Sequence, residues 1–546
     1  MSPANTDDWS RRLWAKDASL WTGGDEARWM GWLAAGHGAA VDLPALLDFQ
    51  AQVKASGYTH TLLLGMGGSS LGPEVLSQTF GAAPGFPRLI ILDSTDPAQI
   101  ARTEEMIDAA TTLYIVASKS GSTLEPDILH RYFWAKAEAA LGKGRAGTRF
   151  VAITDPGSKL EATARRDRFA HIFLGDPSIG GRYSILSHFG MVPAATLGLD
   201  VAAALETVAV MARACGASVP PAANPGVRLG LALGTHALAG RDKLTLVASD
   251  GIADIGAWLE QLIAESTGKQ AKAIIPIDGE ALTGPQGYGS DRVFAHLRLA
   301  GDTKHDSGLA TLEAAGHPVI RIALAGREGL FQEFFRWEVA TAVAGAVMGI
   351  HPFDQPDVEA SKIKTRALTD AFETTGTLAL EPAVFSDGNI RLFTDAAKLP
   401  TFAEASTLEN WLTAHFATAG KGDYIALLAY LDRSPENIAA IEALRGRLRQ
   451  RLTNPVAVGF GPRFLHSTGQ AYKGGPNTGV FLQITASGGP DLAIPGLRAG
   501  FATVEAAQAQ GDLGVLVERG RRVLRIDLGL DVHEGLKHLA ISLGAP

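Results

Sequence analysis

The chain has 546 residues, too many for one ordinary core, and its 46% hydrophobic and 19% charged composition is that of a folded protein. A net charge of −8 excludes the basic face that nucleic-acid binding requires, and the longest apolar run, residues 339–350, is too short to span a bilayer. The single cysteine, Cys215, has no partner for a disulfide and no second thiolate for a metal site. The start, MSPANTDDWSRR, lacks a cationic segment followed by an apolar one, so a cytoplasmic location is expected.

In chain order, residues 1–45 read as a helical arm holding five tryptophans, with Leu13-Trp14 and Leu20-Trp21 seven residues apart on one expected stripe. From about residue 58, short apolar runs ending in Gly, Pro, Ser or Asp alternate with helical patterns. This predicts α/β lobes with doubly wound parallel sheets, the first over 46–205 and the second over 206–375. A third α/β block over 376–546 repeats the pattern without repeating the sequence. Its end, LGVLVERGRRVLRIDLG, reads as a hairpin, and 375–420 reads equally as linker or structure.

Ligands of such sheets sit beyond the carboxyl ends of the strands. SKSGST lies there, between the run LYIVA and a helix. Ser118, Lys119, Ser120, Ser122 and Thr123 surround Gly121, with Pro126 in the expected first turn and Ser122 or Thr123 as cap. Hydroxyls and a helix N-terminus suit a phosphate, and the loop is richer than a cap requires. One strand earlier, GMGGSS places Gly67, Gly68 and Ser69 in a tight turn that lacks the third glycine of a dinucleotide fingerprint. IGAWLEQLIAESTGK is a strong helical stripe capped by Gly268. It places Glu265 in the last turn, where the helix dipole and burial would both raise a carboxyl pKa towards a general-base range. Isolated, that Glu reads more readily as a solvated helix-end residue.

GGRYS puts Arg182 in a loop, where it can meet an anion or join a surface ion pair. FDQPDVEASK puts Gln355 before a helix and Lys362 in its first turns, and LHSTGQ puts His466 beyond an apolar run. No histidine pair has metal-ligand spacing and no nucleophile elbow occurs, so no metal is expected.

Together GMGGSSLGP, SKSGSTLE, GGRYS, ESTGK, FDQPDVEASK and LHSTGQ resemble the phosphoglucose isomerase family. The wording is most similar to the isomerase half of bifunctional transaldolase/phosphoglucose isomerases. No βα barrel precedes it here, so transaldolase activity is not expected; that the chain is half of a larger enzyme, its tryptophan-rich arm binding a transaldolase partner, is kept as an alternative. The resemblance implies two sugar-isomerase (SIS, flavodoxin-like) lobes and a cofactor-free interconversion of glucose 6-phosphate and fructose 6-phosphate through a cis-enediolate, in a homodimer. A broader phosphoglucose/phosphomannose isomerase and a non-catalytic sugar-phosphate sensor are the alternatives.

The resemblance further implies that Ser118, Lys119, Ser120, Ser122 and Thr123 hold the phosphate and that Gly67, Gly68 and Ser69 face the sugar. It makes Glu265 the base, Arg182 the partner of the enediolate, Gln355 a substrate contact and Lys362 a helper in ring opening. One departure stands out. The family's ring-opening His precedes the FDQ motif, whereas here His466 follows it and His305, in the usual interval, is out of register. The third block must therefore fold back, or reach a neighbouring subunit, to deliver His466.

Overall fold

The computed structural model describes residues 6–379 and 381–544; residues 1–5, part of the N-terminal reading, lie outside them. Three sheets, each built from a contiguous stretch of chain, carry the architecture. The first comprises β1 (His60–Gly65), β2 (Arg88–Leu92), β3 (Thr112–Ala117), β4 (Phe150–Thr154) and β5 (His171–Leu174), all parallel in the order β2-β1-β3-β4-β5. That order reverses at β1/β3, and the loops after these two strands are GMGGSS and SKSGST. They flank the crevice where a sheet of this kind binds ligands.

The second sheet comprises β6 (Lys243–Ala248), β7 (Ile275–Ile277), β8 (Arg292–Leu299) and β9 (Val319–Leu324), parallel in the order β7-β6-β8-β9. The third comprises β10 (Phe385–Asp387), β11 (Ile390–Phe393), β12 (Tyr424–Tyr430), β13 (Val456–Phe460), β14 (Gly479–Thr485) and β15 (Arg522–Asp527). Its order is β10-β11-β15-β14-β12-β13, with β10 and β11 antiparallel and the rest parallel. Segment 375–420 is thus structured. Gly388-Asn389 turns the β10–β11 hairpin, and the helix Leu408–Phe416 packs beside it, burying Trp411 and Leu412.

Two expectations are corrected. LGVLVE is the last turn and a half of the helix Phe501–Glu518, not a strand, and only RVLRID pairs as β15. A short aliphatic run does not separate helix from strand by period, and here Leu513 and Leu516 face the apolar surface that also holds Tyr424 and Phe481. The tryptophan arm is not one helix. The helix Trp9–Trp14 ends before Lys16, whose φ of 55° is left-handed, and Trp21 belongs to a later turn. The arm nevertheless packs onto the second lobe: the Trp14 indole donates to Cys215 O at 2.7 Å and that of Trp21 to Ala342 O at 2.7 Å. Cys215 is buried, which pushes its thiol up to about 11.

The third block closes over both lobes. Phe501 and Val504 join the core on one face of the first sheet, with Tyr114 and Phe133. On the other side Phe464, Ala471 and Tyr472 share a core with Ala264 and Ile275 of the second lobe. These two apolar contacts place the 460–475 segment between the lobes. No helix among the described residues is long and apolar enough to cross a membrane.

Candidate functional site

The serine-rich loop is a self-bonded cup. Ser118 Oγ donates to Thr123 Oγ1 at 3.3 Å and accepts from Gly121 N at 3.2 Å, while Ser120 Oγ and Ser122 Oγ lie 2.8 Å apart. Gly121 has φ +64°, and a Cβ there would lie 2.3 Å from Leu160 N, so the glycine lets the loop rest on the helix Lys159–Arg166, which follows β4. Thr123 is the N-cap of the helix Leu124–Leu141, but no side chain caps it, contrary to expectation. The first-turn N–H groups at this end are left for another acceptor. Lys119 turns away: its ammonium pairs with Asp155 at 2.7 Å and lies over the Phe189 ring.

A cleft of about 730 Å³ opens over this cup. Its walls include Ser120–Glu125, the helix Val358–Thr375 with Lys362, and His466. Lys159 lines it too, and with Ser118 and Thr123 it lines a smaller 140 Å³ cavity behind the loop. Lys362 is exposed and 3.7 Å from Glu359.

Glu265 and Arg182 do not line that cleft; both are buried and are linked to it through Gln261 and His466. Glu265 sits in the last turn of the helix Ile255–Thr267, as the stripe predicts, with Arg182 Nη1 3.6 Å from its Oε1 and the Gln261 amide donating to Oε2 at 3.0 Å. Gly268 does end this helix, but without left-handed φ. A Cβ there would lie 2.2 Å from Ala471 Cα, so this glycine admits the third block. Arg182 makes four hydrogen bonds. Its guanidinium donates to Ser266 Oγ at 2.8 Å, Gln355 Oε1 at 2.9 Å, and the carbonyls of Pro352 and Asp354 at 2.8 and 3.0 Å. Gln355 is thereby held by its oxygen, with its amide NH₂ still available. Behind it, Lys269 Nζ gathers His351 O and Asp354 O at 2.5 Å each and Asp354 Oδ1 at 2.6 Å; burial first, and then Arg182, push this amine down to about 7.

The same chain brings His466 to these groups. Gln261 donates to both Glu265 and the backbone oxygen of His466, the latter at 2.8 Å, and a Cβ on Gly67 would lie 2.8 Å from that oxygen. Gly68 packs more tightly still, its hypothetical Cβ 1.9 Å from Gly181 O. Ser69 is buried in the same turn, and its neighbour Ser70 donates to Asp93 at 2.9 Å. The loop carrying His466 is clamped by Arg463, which reaches across to Glu74 and, at 3.1 Å, to Asp93. Burial would raise the Glu74 carboxyl, but Arg433 and Arg463 hold it down at about 2. Gln470 fastens the FDQ segment, accepting from Asp357 N at 2.9 Å and donating to Gly268 O at 2.8 Å. His305, by contrast, faces His296 on the second lobe's β8 side.

Sequence reasoning missed Glu125. It lies in the motif SKSGSTLE, and its Oε1 accepts from His466 Nε2 at 3.0 Å. Burial pushes this carboxyl up, but His466 and Lys362 more than offset that and hold it below its usual range. An acid two residues past a phosphate-type loop is the signal that could have exposed it. Among the described residues no group of three or more His, Cys, Asp or Glu could hold a metal.

Parallel-sheet lobes, a hydroxyl cup at the first switch point and a buried Glu–Arg pair make this an α/β protein with an anion-binding cleft. The phosphoglucose isomerase family model matches residues 51–290. A glucose-6-phosphate isomerase of Rubrobacter xylanophilus is 32% identical over 374 residues, 60% of this chain and 86% of that one. One of Citrifermentans bemidjiense is 35% identical over 224 residues, which cover 39% of this chain but only 40% of that one. A solved hypothetical protein of Thermus thermophilus superposes with TM-score 0.57 at 25% identity, over 66% of this chain and 93% of that one. The solved glucose-6-phosphate isomerase of Chlamydia trachomatis has TM-score 0.51 at 21% identity, over 66% of this chain and 78% of that one, a likeness of fold. The chain belongs to the phosphoglucose isomerase family.

Proposed function

We propose that this chain interconverts glucose 6-phosphate and fructose 6-phosphate. The observation that carries this reading is the continuous chain of contacts from the hydroxyl cup through Glu125, His466 and Gln261 to Glu265, Arg182 and Gln355. The cup and the bare helix start take the phosphate, with Lys159 adding charge at its rim. Phosphate binding then fixes the sugar carbons against Glu265. His466 and Lys362 open the ring by moving a proton from O1 to O5. Glu265 removes the proton from C2 and returns it to C1 on the same face, while O1 and O2 exchange the second proton. Arg182 lies where the enediolate charge develops. A positioned base contributes on the order of 10²–10⁴-fold, and a fixed cation beside the oxyanion often adds more.

Protein supplied with fructose 6-phosphate in heavy water should form glucose 6-phosphate deuterated at C2, and Glu265→Gln should not. Sugar-phosphate binding without exchange in the wild type would refute the reading. The division into an arm (1–45), lobes 46–205 and 206–375 and block 376–546, a cytoplasmic homodimer and a separate transaldolase partner belong to the same proposal. Sedimentation tests the dimer and co-purification with added transaldolase tests the partner. The contacts of His466 with Gln261 and Glu125 of its own chain support delivery from within one subunit.

A further inference from the structure

Glu125 receives a second donor besides His466. Gln508, on the helix Phe501–Glu518, donates its amide to the same Oε1 at 2.6 Å. The amide oxygen of Gln508 in turn accepts the Thr95 hydroxyl at 2.6 Å, from the loop after β2. Glu125, Gln508 and Thr95 are 4%, 1% and 0% exposed. Buried so completely, each polar atom needs its partner, and the partners dictate the order. The ionised Glu125 only accepts, so it takes the NH₂ of Gln508 and turns the amide oxygen to Thr95, whose hydroxyl donates to it. Glu125 Oε1 is therefore held by two donors of the third block, Gln508 and His466.

We propose that Gln508 is a positioning residue that, backed by the Thr95 hydroxyl, holds the Glu125 carboxylate against His466 Nε2 and so fixes which imidazole nitrogen faces the cleft. The inference rests on the reading that His466 serves the isomerase reaction. With Nε2–H given to Glu125, Nδ1 is the nitrogen left for the sugar oxygens. A neutral amide suits this position because it donates a proton at every working pH. The charged and titratable groups around the pair come from every packed element. Lys362 lies on the cleft helix, and Arg463 on the loop before His466. Glu505, one turn before Gln508, is half-buried with Asp96 and Asp432 nearby, and burial raises its carboxyl well above the usual carboxylate range; Arg102 pairs with Asp432. Glu125 is the carboxylate that His466 touches, so the donors that hold it control the imidazole.

Gln508→Glu is isosteric and discriminates orientation from packing. Protonated, the new carboxyl donates to Glu125 as the amide did; ionised, it repels Glu125. The full chain carrying Gln508→Glu should keep kcat/KM within about threefold of wild type near pH 5.5. It should lose at least tenfold relative to wild type by pH 8.5. Gln508→Leu should lose activity at every pH, while thermal melting shows whether it still folds. A Gln508→Glu to wild-type ratio that stays flat across this range would overturn the inference.

The His466 titration, followed by NMR of ¹³C-labelled histidine without substrate, separates the two readings. We expect it about one pH unit higher in Gln508→Glu, because a more negative Glu125 environment holds the imidazolium proton. An unmoved His466 titration in an active enzyme refutes the inference alone. A moved titration in a chain that lacks isomerase activity refutes the reaction and leaves the positioning contact standing.

Discussion

Gly68→Ala adds one methyl group at the tightest backbone approach in the site. Its Cβ would begin 1.9 Å from Gly181 O and 2.9 Å from Arg182 N, and both are backbone atoms that cannot rotate away. To reach the 3.0 Å that real Cβ contacts respect, the two loops must separate by about 1.1 Å. That displacement carries Arg182, whose Nη1 is 3.6 Å from Glu265. Misplacing a catalytic group by about 1 Å costs on the order of 10²-fold in rate, and overpacking of a tight contact costs about 1–3 kcal/mol. We therefore expect kcat to fall by about 10²-fold with KM changed by less than about threefold, since the phosphate cup lies on another strand. Coupling glucose 6-phosphate formation to a dehydrogenase reads the rate, and urea unfolding reads the stability. A folded Gly68→Ala protein with wild-type kcat would refute the claim that this turn sets the position of Arg182.

Three further perturbations test other parts of the site. Lys159→Ala should raise KM for the sugar phosphate by about fivefold to twentyfold with kcat nearly unchanged, because a rim cation contributes binding common to ground and transition states; an unchanged KM would remove Lys159 from the phosphate site. Arg463→Met leaves Glu74 and Asp93 short of a buried partner and should cost about 3–5 kcal/mol in denaturant unfolding. Glu74, held at about 2 in the folded chain against an ordinary 4.5, stabilises the fold above pH 4.5 and loses that contribution as pH falls towards 2. Stability measured between those pH values should fall steeply in wild type and less so in Arg463→Met. Lys269→Met should lower kcat more than it raises KM, because it frees the carbonyls of His351 and Asp354 that set Arg182 and Gln355; equal kcat would place Lys269 outside the positioning of Arg182.

Where local chemistry and long-range contact coincide in one motif, the sequence is readable. The stripe Ile255, Trp258, Leu259, Leu262 and Ile263 buries one helix face, and that fact alone puts Glu265 in the last turn at the domain centre. The hydroxyl count in SKSGST likewise marks a polar cup, because those atoms need partners that a simple cap does not supply. What resists reading depends on neighbours. LGVLVE has strand-like composition but lies on the partner surface of the Val358–Thr375 helix and the third sheet, so burial on one side settles it as helix. Lys119 sits in the middle of the cup motif, yet Asp155, thirty-six residues on, draws its charge to the far side.

The placement of His466 shows why a rearranged order need not change a site. Nothing in residues 460–470 says which lobe they will meet. The answer lies in three separated partners: Glu74 and Asp93 for Arg463, Gly268 for the approach of Ala471, and Gln261 for the backbone of His466. Each is ordinary on its own. Buried together, they leave little freedom in the segment, because moving it would strip partners from Arg463, Gln261 and Gln470 at once. Chain order matters to a catalytic site only through the contacts that fix each side chain. Here the third block supplies those contacts from downstream, with Gln508 and Gln470 acting from its own helices. Deleting the block should therefore do more than remove His466. It should also release Glu125 and the start of the Val358–Thr375 helix, so His466→Asn should retain substrate binding that the truncated chain loses.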